Sequence, residues 1–154
     1  LIDKLNSDEI VAVLAHEIGH YKKKHTLISL VTSVVQTGIT LYILSLFVGN
    51  PDLSKALGSD IPSFHLGLIT FGFLYSPIST IVGLFMNIIS RKNEYSADLY
   101  ATQQFEGEFL QTALKKLSVN NLSNLTPHPL YVFFNYSHPT LLQRLKFIDQ
   151  IKNN

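Results

Sequence analysis

Two histidines stand four residues apart in His16-Glu17-Ile18-Gly19-His20, with a glutamate directly after the first. Residues four apart share one face of a helix. Both imidazoles can therefore reach one zinc ion, while Glu17 faces the water bound there. A catalytic zinc takes three protein ligands and keeps one position open, so a third ligand must come from elsewhere in the chain. Cysteine is absent, which leaves histidine or a carboxylate for that place and excludes thiolate, disulfide and iron–sulfur chemistry. The stretch Glu94-Tyr95-Ser96-Ala97-Asp98 sets two carboxylates on one helical face. Glu94 fits as the ligand, giving a His2Glu site for one zinc per chain. Asp98, one turn on, can accept the second N–H of a liganding histidine, and His16 is the expected partner. A further group is Tyr136-Ser137-His138-Pro139. His138 there can donate to the oxyanion of a tetrahedral intermediate, although on sequence alone a His–Pro pair at a helix start is more often structural.

These residues must be brought together across two long apolar runs. Leu27 to Gly49 carries no formal charge, and neither does Leu66 to Ile89. As helices they extend about 33–36 Å, enough for a hydrocarbon core of roughly 30 Å. Ser29, Ser33 and Thr37 in the first run, and Gly72, Ser76 and Thr80 in the second, recur every four residues, a spacing suited to close helix packing. Lys22, Lys23 and Lys24 precede the first run, and Arg91 and Lys92 follow the second. The intervening loop holds Asp52, Lys55 and Asp60, a net of −1. The positive-inside rule then predicts a hairpin with both outer ends on the cytoplasmic side. Residues before Lys22 and after Arg91 leave the membrane on the same face, which returns Glu94 to the side of His20.

The expected organisation is a His-Glu-x-x-His helix within 1–25, a transmembrane helix over 26–49, a non-cytoplasmic loop over 50–64, a second transmembrane helix over 65–90, and the rest of a metalloprotease domain over 91–154. Asn6 and Glu9 form a capping box for the first helix, with Leu5 and Ile10 as its hydrophobic staple. Further helices are predicted from Arg91 to about Phe105, from Glu108 to Val119 with Phe109, Ala113, Leu114 and Leu117 on one face, and from Pro139 with Leu142, Leu145 and Ile148 or their neighbours buried. Asn120 to Ser137 is predicted as loop. The fold class is all-α. The 154 residues are 46% hydrophobic and 15% charged, against roughly 25% charged in ordinary soluble domains. A net charge of +1 offers no basic surface for nucleic acid. The chain opens on Leu1 without a signal peptide, and reads as a fragment of a longer protein.

Taken together, the motifs resemble the C-terminal part of the type I CAAX prenyl proteases, integral-membrane zinc endopeptidases. The likeness runs from Asp8-Glu9 through Val11–Tyr21 and Lys24-His25-Thr26, on to Met86-Asn87, Ser90-Arg91 and Glu94–Asp98, then Asn120-Asn121-Leu122 and Ser137–Leu145. It implies a catalytic role for His138 beside Glu17. It also implies peptide or protein substrates bearing a prenylated C-terminus, a bilayer, and earlier transmembrane helices of the same protein as partners. Such a site lies on the cytoplasmic side of the endoplasmic reticulum membrane in a eukaryote, or of the inner membrane in a bacterium. The rival readings are a heat-shock-type quality-control protease and a non-catalytic membrane scaffold. His25 and Arg144 match the family pattern without an assigned role, while His65 and His128 read as interface or loop residues.

Overall fold

The structure, a computed structural model, describes residues 4–152. These residues form seven helices and no strand: α1 (Ser7–Lys22), α2 (His25–Phe47), α3 (Pro51–Ala56), α4 (Phe64–Gln104), α5 (Gly107–Asn120), α6 (Pro129–Asn135) and α7 (Leu141–Lys152). The chain divides into two compact units. One joins Leu1–Thr26 to Leu84–Asn154, and the other is Leu27–Gly83.

In the first unit, α1 starts as its sequence dictates. The Asn6 side chain accepts from the Glu9 N–H at 2.8 Å, and Glu9 Oε2 accepts from the Asn6 N–H at 2.8 Å. Glu9 has a second task. Its carboxylate is buried and lies 2.7 Å from Lys116 Nζ on α5, so one residue caps α1 and pins it to its neighbour. The core between these elements is Ala12, Ala15, Ala101, Leu110 and Ile148. Gln111 of α5 donates to Asp149 Oδ1 (2.6 Å) and to the Leu145 carbonyl (3.2 Å), which fixes α7. Tyr95 and Phe147, with ring centroids 4.8 Å apart, join α4 to α7.

The hydrogen bond from Lys116, together with the Asn6 backbone, holds the Glu9 carboxyl below its ordinary value of 4.5. A depressed folded pKa gives stability that is complete above the unfolded value and is lost as pH falls through the folded one. Lys116→Met is therefore expected to lower the melting temperature at pH 7, and the gap to the natural chain should close on acidification below about pH 4. Thermal melts of both proteins from pH 7 to pH 3 check this; a gap that stays constant with pH removes the Glu9 pair as its cause.

The second unit contains the greater part of α2, all of α3 and the first half of α4. Both long helices have the length and mean hydropathy (1.8 and 1.7) to cross a membrane, and no residue of the most apolar window of α2 is buried. Thr40 Oγ1 and Tyr75 Oη lie 2.7 Å apart, Phe47 packs edge-on to Phe71, and Phe71 stacks on Tyr75. At Gly67 a Cβ would stand 2.9 Å from the Phe47 carbonyl oxygen, so only glycine allows the two helices this approach.

Several expectations are corrected. The repeating small residues Ser29, Ser33, Thr37, Gly72, Ser76 and Thr80 are all exposed; the contact within this unit runs instead through Thr40, Phe47, Gly67, Phe71 and Tyr75. The second apolar run and the Arg91 helix are one continuous helix of 41 residues through Pro77. No glycine or proline stands between Ile89 and Glu94 to break the helix, and a switch from apolar to polar residues does not end one. The loop over 50–64 contains α3, capped by Asn50 with Pro51 in its first turn. The loop over 120–137 contains α6, capped by His128 with Pro129 at its start. The last helix begins at Leu141, because Thr140 and Gln143 exchange the bonds of a capping box and leave Pro139 outside. On it Ile148 is fully buried while Leu142 is exposed. On α5 the predicted face holds in part: Ala113 is fully buried and Phe109 and Leu114 pack against the core, while Leu110 and Gln111 are buried as well.

Candidate metal centre

Helix α1 offers His16 and His20 to one side and is held tightly against α4 there. A Cβ on Gly19 would meet Ala97 Cα and its carbonyl oxygen at 3.2 Å, and Ala97 is fully buried. The glycine of the motif thus sets the helix spacing that brings Glu94 within reach of both histidines. His16 Nε2 and His20 Nε2 are 3.2 Å apart. Glu94 Oε2 lies 3.7 Å from His16 Nε2, and Glu94 Oε1 lies 3.5 Å from His20 Nε2. Taking one ligand atom from each residue, the three atoms lie within 4.8 Å of one another, and two imidazole nitrogens with a carboxylate oxygen are a donor set that zinc takes.

The other ring nitrogens are turned away from that point. His16 Nδ1 is 2.9 Å from Asp98 Oδ1, and His20 Nδ1 is 3.2 Å from His25 Nδ1. Asp98 is fully buried and receives Arg144 as well, with Arg144 Nε donating to Oδ2 at 2.8 Å and Nη2 donating to Oδ1. Arg144 Nη1 also lies 3.4 Å from Glu94 Oε2. One guanidinium on α7 therefore serves both carboxylates of α4. His138 Nδ1 meets Glu94 Oε1 at 3.1 Å. The loop carrying His138 is tethered by α4, where Asn87 Nδ2 donates to the Phe134 carbonyl (2.9 Å) and Arg91 donates to the Tyr136 carbonyl.

Charge states follow from these contacts. Burial, and after it the neighbouring His16, hold His20 below the ordinary imidazole value, which keeps it neutral. Burial opposes ionisation of Glu94, but the His138 hydrogen bond and the Arg144 charge outweigh it and lower its pKa. Asp98 is likewise ionised against burial, by its hydrogen bonds from His16 and Arg144. The Glu94 hydrogen bond raises His138, against the opposing effect of burial. A neutral His20 and an ionised Glu94 are protonation states a metal requires of its ligands.

A cleft of about 410 Å³ opens on the trio, lined among others by Val13, Glu17, Thr26, Leu114, His138 and Arg144. Glu17 is exposed into it. All six residues singled out for chemistry thus belong to one cluster. Sequence reasoning gave no role to Arg144 or His25, and the structure puts both against the cluster. His65 is exposed in the first turn of α4 with its Nε2 3.2 Å from Ser63 Oγ, and His128 caps α6.

An all-helical chain that sets His-Glu-x-x-His on one helix and a glutamate on a second has the site layout of the helical metallopeptidases. The chain belongs to peptidase family M48, whose profile matches residues 1–152. It is 38% identical to a CAAX prenyl protease 1 homolog of Arabidopsis thaliana, over 94% of this chain and 34% of that protein. To the Dictyostelium discoideum homolog it is 40% identical, over 97% of this chain and 35% of that protein. The crystal structure of S. mikatae Ste24p superposes with a TM-score of 0.78 at 33% identity, covering 94% of this chain and 36% of that one. The chain spans about a third of the length of the relatives it matches.

Proposed function

We propose that this chain carries the catalytic centre of a zinc-dependent membrane endopeptidase that processes proteins or peptides with a prenylated C-terminal CAAX sequence. The observation that carries the reading is the convergence of His16 Nε2, His20 Nε2 and the Glu94 carboxylate at 3.2–3.7 Å. The relatives named for CAAX prenyl proteolysis support the substrate class.

In this reading His16, His20 and Glu94 hold one zinc ion. When bound, zinc supplies Lewis-acid polarisation of the scissile carbonyl and lowers the pKa of water at the site. Glu17, open to the cleft, takes the proton of the attacking water and passes it to the leaving amine. His138 gives an N–H to the oxygen that becomes negative as the carbonyl carbon turns tetrahedral. Asp98 accepts from His16 Nδ1 and fixes its tautomer, and Arg144 adds to the effect of His138 on Glu94 and of His16 on Asp98 in keeping both carboxylates ionised. An isoprenyl chain gains about 0.8 kcal/mol per CH2 on entering an apolar setting, which suits a site attached to membrane helices. The test is cleavage by the zinc-loaded full-length protein of a farnesylated CAAX peptide beside its unprenylated twin, with Glu17→Gln as blank. Cleavage that needs both the lipid and Glu17 is expected. Equal cleavage of the two peptides identifies a quality-control protease, and zinc binding without Glu17-dependent cleavage identifies a scaffold.

The basic residues Lys22, Lys23, Lys24, Arg91 and Lys92 support a cytoplasmic site. Three exposed acceptor sequences for N-glycosylation report on this directly: Asn121-Leu122-Ser123, Asn124-Leu125-Thr126 and Asn135-Tyr136-Ser137. Made in eukaryotic microsomes, the protein is expected to keep all three unmodified, since transfer occurs on the lumenal side. A glycosidase-sensitive gain in mass would put the site across the membrane.

A further inference from the structure

The metal-binding reading leaves His20 with one ring nitrogen unexplained, and His25 answers it. We infer that His25 is a positioning residue: its Nδ1 lone pair accepts the Nδ1 proton of His20 and thereby fixes His20 as a neutral ligand through Nε2. This inference rests on the proposed zinc site.

Helix α1 ends at Lys22; the Lys23 N–H then donates to the Gly19 carbonyl at 3.1 Å and the Lys24 N–H to the Tyr21 carbonyl at 3.0 Å. Lys24 then takes a left-handed conformation (φ 57°), which non-glycine residues adopt infrequently. That single reversal starts α2 at His25 and folds its side chain back under α1. His25 is 8% exposed, and its ring stands at 80° to that of His20 with centroids 5.0 Å apart. Their Nδ1 atoms are 3.2 Å apart.

Two facing ring nitrogens can share one proton, and the neighbouring atoms decide which carries it. His20 Nε2 points to His16 Nε2 and Glu94 Oε1; as a ligand it presents a lone pair there, so the His20 proton sits on Nδ1. His25 Nδ1 is then the acceptor, and the His25 proton sits on Nε2. Liganding histidines nearly always donate their second N–H to a carboxylate, carbonyl or water. His16 does so to Asp98, whereas His20 does so to a neutral imidazole. The two histidines of the motif are thereby made unequal, one backed by an anion and one by an uncharged acceptor.

The test uses the full-length protein in detergent, stripped of metal, with zinc affinity measured by competition against a chelator of known strength. Cobalt(II) in place of zinc gives the ligand-field spectrum. The natural protein should bind one zinc, and His20→Ala should abolish that binding. His25→Leu should bind zinc about 10–100-fold more weakly and shift the cobalt bands. His25→Asn, whose amide oxygen can replace the Nδ1 acceptor, should recover most of the affinity and the original spectrum. Zinc binding by His25→Leu within twofold of the natural protein overturns the inference, as does an asparagine variant as weak as the leucine one. If the leucine variant fails to fold by circular dichroism, the asparagine variant decides alone: near-natural affinity supports the acceptor role, and a tenfold loss or more refutes it. A natural protein that binds no zinc, or a His20→Ala variant that binds it undiminished, strikes the zinc site itself, a result distinct from any failure at His25.

Discussion

Glu17→Gln is expected to leave zinc binding intact while lowering kcat/KM by at least about 10²–10⁴-fold, the usual reach of a positioned general base. The two halves of that result depend on different atoms. The ion would be held by His16, His20 and Glu94, whose donor atoms converge on one point. Glu17 sits beside His16 in sequence but is turned out into the cleft. Glutamine keeps its size and its place on α1, and loses the ability to take a proton. Glu94→Ala should give the reverse signature, with zinc lost first and activity lost as a consequence. Measuring metal content and single-turnover cleavage on both variants separates the roles. If Glu17→Gln loses its zinc, Glu17 is part of the metal-holding set and the base must be sought elsewhere; if Glu94→Ala keeps a full complement, Glu94 leaves the site.

How much of this was legible in advance follows how local each determinant is. The start of α1 is written in four consecutive residues, Asn6 to Glu9, and the capping box is there. The face shared by His16 and His20, and by Glu94 and Asp98, follows from helical periodicity once the helices exist. Boundaries were harder. The join at Arg91 looks like an edge because composition changes, yet backbone hydrogen bonding in α4 is indifferent to that change. Helix α6 is only seven residues long, too short for periodicity to stand out from a loop rich in proline and aromatics. The small-residue stripes misled because spacing fixes a face but not which face meets the neighbour; that phase is set by Gly67 and Phe47. Arg144 was hidden most deeply. It is 46 residues from Asp98 in sequence, and nothing local tells a cation in a surface-patterned helix from one that turns inward.

That same arginine makes the second large effect predictable. Glu94 and Asp98 sit one turn apart on α4, both buried and both held ionised. Two such charges repel, and burial penalises each. Arg144 relieves both, with a two-pronged contact to Asp98 and a third nitrogen 3.4 Å from Glu94. Arg144→Met keeps the apolar stem and removes the fork. Breaking a buried pair by deleting one partner costs about 3–5 kcal/mol, so the metal-free variant should melt on the order of 10 °C lower. Lysine should rescue poorly, since a point charge cannot bond both Asp98 oxygens while reaching Glu94. Zinc adds a further expectation. An ion between His16, His20 and Glu94 puts positive charge beside the carboxylate the arginine abandoned, so zinc should raise the melting temperature of Arg144→Met by more than it raises that of the natural protein. Equal increments would mean that Arg144 acts on Asp98 alone. A variant as stable as the natural chain in both forms would show that the two carboxylates manage without it, through His16 and His138.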